Sequence, residues 1–94
     1  MSEPIFEWDE AKATANDAKH GVSFAFATQA FDDPFAIVRN DDTHDYGEDR
    51  FILIGLAQDV VLFVAYTERE DRIRLISARR ATKREHDDYV RQIT

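Results

Sequence analysis

Two hydrophobic periods run through this chain, and each change of period marks an element. Residues 72–80, Arg-Ile-Arg-Leu-Ile-Ser-Ala-Arg-Arg, alternate with the period of two that places successive side chains on opposite faces of a sheet. Thr82-Lys-Arg-Glu85 follows at once and fits a capping box, so a closing helix starts there with His86, Tyr89, Val90 and Ile93 as the stripe facing the sheet. Upstream, Arg50–Leu56 and Val60–Thr67 are almost continuous apolar runs, the mark of central strands covered on both sides, with Gln58-Asp59 as the turn between them. Phe35–Arg39 is a further strand, followed by a polar, acidic loop from Asn40 to Asp49.

The N-terminal third is helical. Ile5-Phe-Glu-Trp8 is a short edge strand or docked arm, and Asp9 is an N-cap for a helix running to about Lys19 with Ala11, Ala15 and Ala18 as its small apolar face. Gly21 stands where a left-handed cap is required. Ser23 opens a second helix with Phe24, Thr28 and Phe31 along one stripe, stopped by Asp32-Asp33-Pro34 because the residue before proline avoids helical geometry. The expected fold class is therefore α+β: two N-terminal helices, an antiparallel sheet of about four strands and a C-terminal helix, as one domain over residues 1–94.

Register follows from turn length. Two-residue turns at 58–59 and 70–71 set Arg50, Thr67 and Arg74 in one row, with Ile76, Ala78 and Arg80 continuing that face. The other face then carries Leu62, Val64, Tyr66 and Glu68 beside Ile73, Leu75, Ser77 and Arg79.

Charge changes the picture. The net charge is −7, which argues against general binding of polyanions. It is unevenly spread: residues 1–68 carry 4 basic and 14 acidic side chains, residues 69–94 carry 8 and 5. The basic end is the strand with Arg79-Arg80 and its helix, a local site for nucleic acid or for an acidic protein partner. The chain contains no cysteine, so thiolate metal sites, thiol nucleophiles and disulfides are excluded. No apolar run reaches membrane-spanning length and no secretion signal is visible, which points to the cytoplasm. His44 among Asp41, Asp42 and Asp45 is read as a polar loop and not as a metal site.

Several blocks resemble one family. Phe6-Glu-Trp-Asp9, Lys12, Asn16, Lys19-His-Gly-Val22 and Phe24 look like the N-terminal signature of BrnT-type toxins, the ribonucleases of type II toxin–antitoxin modules. Asp33-Pro34, Arg50, Gly55, Tyr66-Thr-Glu-Arg69, Arg74, Ile76–Thr82, Glu85 and Tyr89 are similar to its later blocks. The resemblance implies a RelE/ParE-like fold, RNA cleavage that stops translation and growth, and no cofactor. It also implies a hetero-oligomer with a BrnA-type antitoxin, whose ribbon-helix-helix domain carries the complex to operator DNA. One departure is Ala25-Phe26, where the family commonly has acidic residues; it marks Phe26 as a candidate partner contact.

RNA cleavage without a metal needs a base for the 2′-hydroxyl, stabilisation of the charged transition state and an acid for the leaving oxygen. The expected catalytic set is His20 as acid, Glu68 as base, and Arg79 and Arg80 on the phosphate. Arg50, Arg74, Lys12, Lys19 and Lys83 are expected to bind the RNA backbone, and Trp8 or Tyr66 to stack a base. Each has a plainer reading: Glu68 as an ion-pair partner of Arg79, His20 as a helix cap, Arg80 as cover for the last helix. Competing functions are a partner-binding module without catalysis and a metal-dependent regulator.

Overall fold

The computed structural model describes residues 4–41 and 49–94. The His44 loop lies outside the described residues. Among them the chain runs β1 (Ile5–Glu7), α1 (Glu10–His20), α2 (Phe24–Ala27), a 3-10 segment (Thr28–Asp32), β2 (Ile37–Asn40), β3 (Arg50–Ala57), β4 (Val60–Arg69), β5 (Arg72–Arg80) and α3 (Lys83–Ile93).

The helix ends follow from local chemistry. The Asp9 carboxylate accepts from the Lys12 N–H, Ser23 accepts from Phe26 N–H, and Gly21 takes the left-handed conformation at φ 68°. Thr82 and Glu85 form the full capping box. Only one turn of α2 is α-helical before the chain tightens into the 3-10 segment, so the expected second helix is shorter than its aromatic stripe suggested.

The sheet is mixed and has five strands in the order β1-β5-β4-β3-β2, which corrects the expected antiparallel sheet of about four. Ile5–Glu7 is the added strand, parallel to β5 through Phe6↔Ile73. Both turns hold the expected register, with Leu56 opposite Val61, Arg69 opposite Arg72, and Arg50, Thr67 and Arg74 in one row. Gln58 and Glu70 take positive φ (55° and 57°) in those turns, although neither is glycine or asparagine.

A bulge then overturns the rest of the expected faces. Ala65 pairs with Ser77 and Tyr66 with Leu75, so Ile76 is an extra residue in β5. One inserted residue exchanges the two sides of everything beyond it. Ala78 and Arg80 join Val64 and Leu62, whereas Ser77 and Arg79 join the face of Arg50 and Arg74.

The main core lies between the first of these faces and the N-terminal helical layer. Val22, Phe24, Ala27, Ala30, Leu53, Leu62, Val64, Tyr66, Leu75 and Ala78 are buried there, with Phe26 and Phe31 packed against them. A smaller core of Ile54, Val61 and Tyr89 lies under α3. Of the stripe expected to pack on the sheet, only Tyr89 is buried; Val90 and Ile93 are 41% and 45% exposed and His86 is exposed. Polar tethers hold α3 in their place. The Tyr89 hydroxyl donates to Asp33, Gln92 donates to the Phe35 carbonyl at 2.7 Å, and Arg39 pairs with Asp88 at 3.4 Å.

Candidate nucleic-acid interface

Arg50 starts β3, Arg74 lies near the start of β5, and Thr67 of β4 stands between them. Two strand spacings separate the arginines, roughly 9–10 Å between Cα atoms. The bulge adds Arg79 to this face, in the row of Ile54 and Phe63. Arg79 is held from three sides. Its fork meets both Glu85 oxygens at 2.8 and 3.0 Å, its Cζ lies 3.9 Å from the Phe63 ring centroid, and Nη1 also donates to the Arg80 carbonyl. Of the five guanidinium N–H donors, two are left without an acceptor among the described residues. Arg74 donates to Glu7 at 3.0 Å, so this face carries guanidiniums whose present anions are carboxylates.

Burial alone would raise the Glu85 carboxyl, but the Arg79 hydrogen bonds, the Thr82 N–H and the Arg79 charge outweigh it and hold the pKa below the usual carboxylate range. Asp33 is depressed in the same manner: burial opposes, while the Tyr89 hydroxyl and the Leu56 and Phe35 N–H groups win. The phenol of Tyr89 is correspondingly pushed up to about 12 by burial and then by Asp33.

Arg80 points to the opposite side from Arg79. It is exposed and lines a cleft of about 390 Å³ between β4 and the α1–α2 turn, with Asp17, Ser23, Phe26, Val60 and Leu62. The adjacent arginines therefore do not share a pocket. Lys12 and Lys19 are exposed on α1. At about 100° per residue both lie within roughly 60° of Asn16, on the flank turned away from Asp17 and α2. Asn16 is bonded to Ala78, so the two lysines flank β5 beyond the three residues that pair with β1.

The remaining expected residues are dispersed. Glu68 is exposed, opposite Ile73 at the start of β5, and on the other face from Arg79. His20 sits one turn beyond Asn16, at the far end of the strand, so Glu68 and His20 do not meet. Lys83 is 90% exposed on α3 and pairs with Asp87. Trp8 is half-buried, packs edge-on to Phe24 at 5.9 Å and donates to Glu10. Tyr66 is 5% exposed, edge-on to Phe31, with its phenol raised by burial and by the Glu68 charge. Tyr66 is thus engaged in the core, whereas half-buried Trp8 lines a shallow cleft with Glu10, Ala13 and Thr14.

Asn16 is what the residue pattern did not disclose. It lies outside the expected apolar face of Ala11, Ala15 and Ala18, yet those alanines are exposed while Asn16 is buried and bonds three backbone groups. The available signal was an asparagine in the middle of a helix, where its propensity is poor and a specific partner is the usual reason. Glu7 and Glu85 as arginine partners were also not anticipated. Among the described residues no group of three or more His, Asp or Glu could hold a metal ion, and no helix is long and apolar enough to cross a membrane.

Residues 8–85 match the family model described as ribonuclease toxin, BrnT, of type II toxin–antitoxin system. No curated protein matches the chain.

Proposed function

The chain belongs to the BrnT family of type II toxin–antitoxin ribonuclease toxins, and on that premise we propose that it is an active endoribonuclease that cuts RNA without a metal and so stops translation and growth. The observation that carries this reading is the bulge at Ile76, which gathers Arg50, Arg74 and Arg79 on one face. Guanidinium forks match the non-bridging oxygens of a phosphate and stabilise charge that grows in the transition state. RNA phosphate replaces Glu7 and Glu85 as the anion on Arg74 and Arg79. Lys12 and Lys19 hold flanking phosphates along β5, and Lys83 extends the contact past Arg79. His20, at the Arg79 end of β5, remains the candidate acid. Glu68 lies at the other end and is the weakest of the expected catalytic groups.

The overall acidity of the chain restricts affinity to this face, because the body repels polyanions. An antitoxin of the BrnA type, with a ribbon-helix-helix domain for operator DNA, completes the module, and the site of action is the cytoplasm. The second reading, a partner-binding module without catalysis, is favoured by the same net charge.

Purified, antitoxin-free protein is expected to cleave RNA in the presence of a chelator. Arg74→Ala and Arg79→Ala should lose cleavage while retaining the native circular dichroism spectrum. His20→Ala should lower the rate and flatten its pH profile near neutrality. Well-folded protein that leaves RNA intact would favour the binding module, and full cleavage by both arginine variants would reject the arginine face.

A further inference from the structure

The cleft lined by Arg80 is separate from the arginine face, and its chemistry is specific. Leu62 is fully buried at its base, and the half-buried Phe26 and Val60 form apolar walls. Asp17 and Arg80 stand on its rim, an acid and a base that line one cleft yet form no ion pair with each other or with another side chain among the described residues. The Asp17 backbone carbonyl caps Gly21, which fixes the residue while leaving its carboxylate free to bind. The volume, about 390 Å³, falls within the range of small-ligand sites, roughly 300–1,000 Å³.

We propose that this cleft is a guanine subsite, which receives one base of the RNA strand whose phosphates lie on the arginine face. The proposal rests on the ribonuclease reading above and adds a sequence preference to it. A base needs an apolar slot with a ring to pack on, and the half-buried Phe26 ring lines this cleft, whereas the Tyr66 ring is buried in the core. Guanine presents two adjacent donors, N1–H and the N2 amino group, which match the two oxygens of the Asp17 carboxylate. It also presents two adjacent acceptors, O6 and N7, which match the Arg80 fork. Adenine, cytosine and uracil each lack one of these pairs. The path is short: Arg79 and Arg80 are consecutive, so a strand rounding the end of β5 brings a phosphate to one face and a neighbouring base to the other.

The test is titration of the intact protein with guanosine, adenosine, cytidine and uridine 5′-monophosphates, followed by two-dimensional NMR. Guanosine monophosphate should shift the amides of Gly21 and Val22 and the Phe26 ring, and bind more tightly than the other three. Asp17→Asn, an exposed position, should reduce that preference by roughly tenfold or more, the worth of one lost bidentate pair. Phe26→Leu should weaken guanosine monophosphate while keeping the fold. Equal binding of all four, or shifts confined to the Arg74–Arg79 face, would overturn the subsite. So would a full guanine preference in Asp17→Asn. Binding is read without cleavage, so a chain that holds guanine but cuts nothing supports the subsite and rejects the ribonuclease. A chain that cuts RNA but ignores guanine does the reverse.

Discussion

Asn16 and Ala78, 62 positions apart, are joined as two strand residues would be: the Asn16 carboxamide oxygen accepts the Ala78 N–H at 3.1 Å and its amide nitrogen donates to the Ala78 carbonyl at 2.8 Å. The same nitrogen donates to the Val22 carbonyl at 2.9 Å. One side chain thus seals the edge of β5 beyond its pairing with β1, anchors α1 and fixes the turn after it. It lies one residue from Arg79, so the helix, the bulged strand and the arginine face are set by a common constraint.

Asn16→Ala should therefore be costly. It leaves three backbone groups short of a partner in a buried place, and a loss of about 2–4 kcal/mol is expected. Urea unfolding measures it. A loss below about 0.5 kcal/mol, the ordinary surface value, would show that water replaces the side chain without penalty.

The Asp33–Tyr89 link should give the stability curve two limbs. Asp33 and Glu85 have folded values below their usual ones, so their contributions are present above about pH 4 and disappear as the pH falls through the lower folded values. Asp33→Asn should flatten that acid limb. Tyr89 is shifted the opposite way, to about 12, so its contribution is complete below about pH 10 and fades between there and 12. Tyr89→Phe should cost about 1–2 kcal/mol at neutral pH and flatten the alkaline limb. Thermal melts across the pH range decide both.

Gly55 sits where β3 meets the 3-10 segment. A Cβ there would lie 2.8 Å from the Ala30 carbonyl oxygen, a backbone atom that cannot swing aside, and 3.1 Å from the Ala36 Cβ. Gly55→Ala should destabilise by about 1–3 kcal/mol despite the better strand propensity of alanine. An unchanged denaturation midpoint would mean that this contact is not tight.

Glu85→Gln separates two roles. Glutamine still serves the third position of a capping box, so α3 should keep its start. The charge facing Arg79 is lost, and phosphate no longer competes with a tethered carboxylate. Affinity for a short RNA should rise by roughly threefold to tenfold, measured by fluorescence anisotropy. No change would mean that RNA does not displace Glu85.

Much of this molecule was legible in its residue order because the determining interactions are local. Asp9, Ser23, Gly21 and the Thr82–Glu85 box each act within a few residues, and turns of two residues set the strand register up to the row of Arg50, Thr67 and Arg74. The tertiary structure decided where Arg79 and Arg80 point. Ile76 is an ordinary strand residue, and nothing adjacent to it announces a bulge. The extra residue emerges only when β5 is fitted between β4 and the Asn16 clasp. The same holds for β1, whose parallel partner is 67 positions away, and for Tyr66, whose ring is buried in the core against Phe31. Side-chain alternation is a property of neighbours along the chain, whereas the face on which a run finally lies depends on contacts between distant segments.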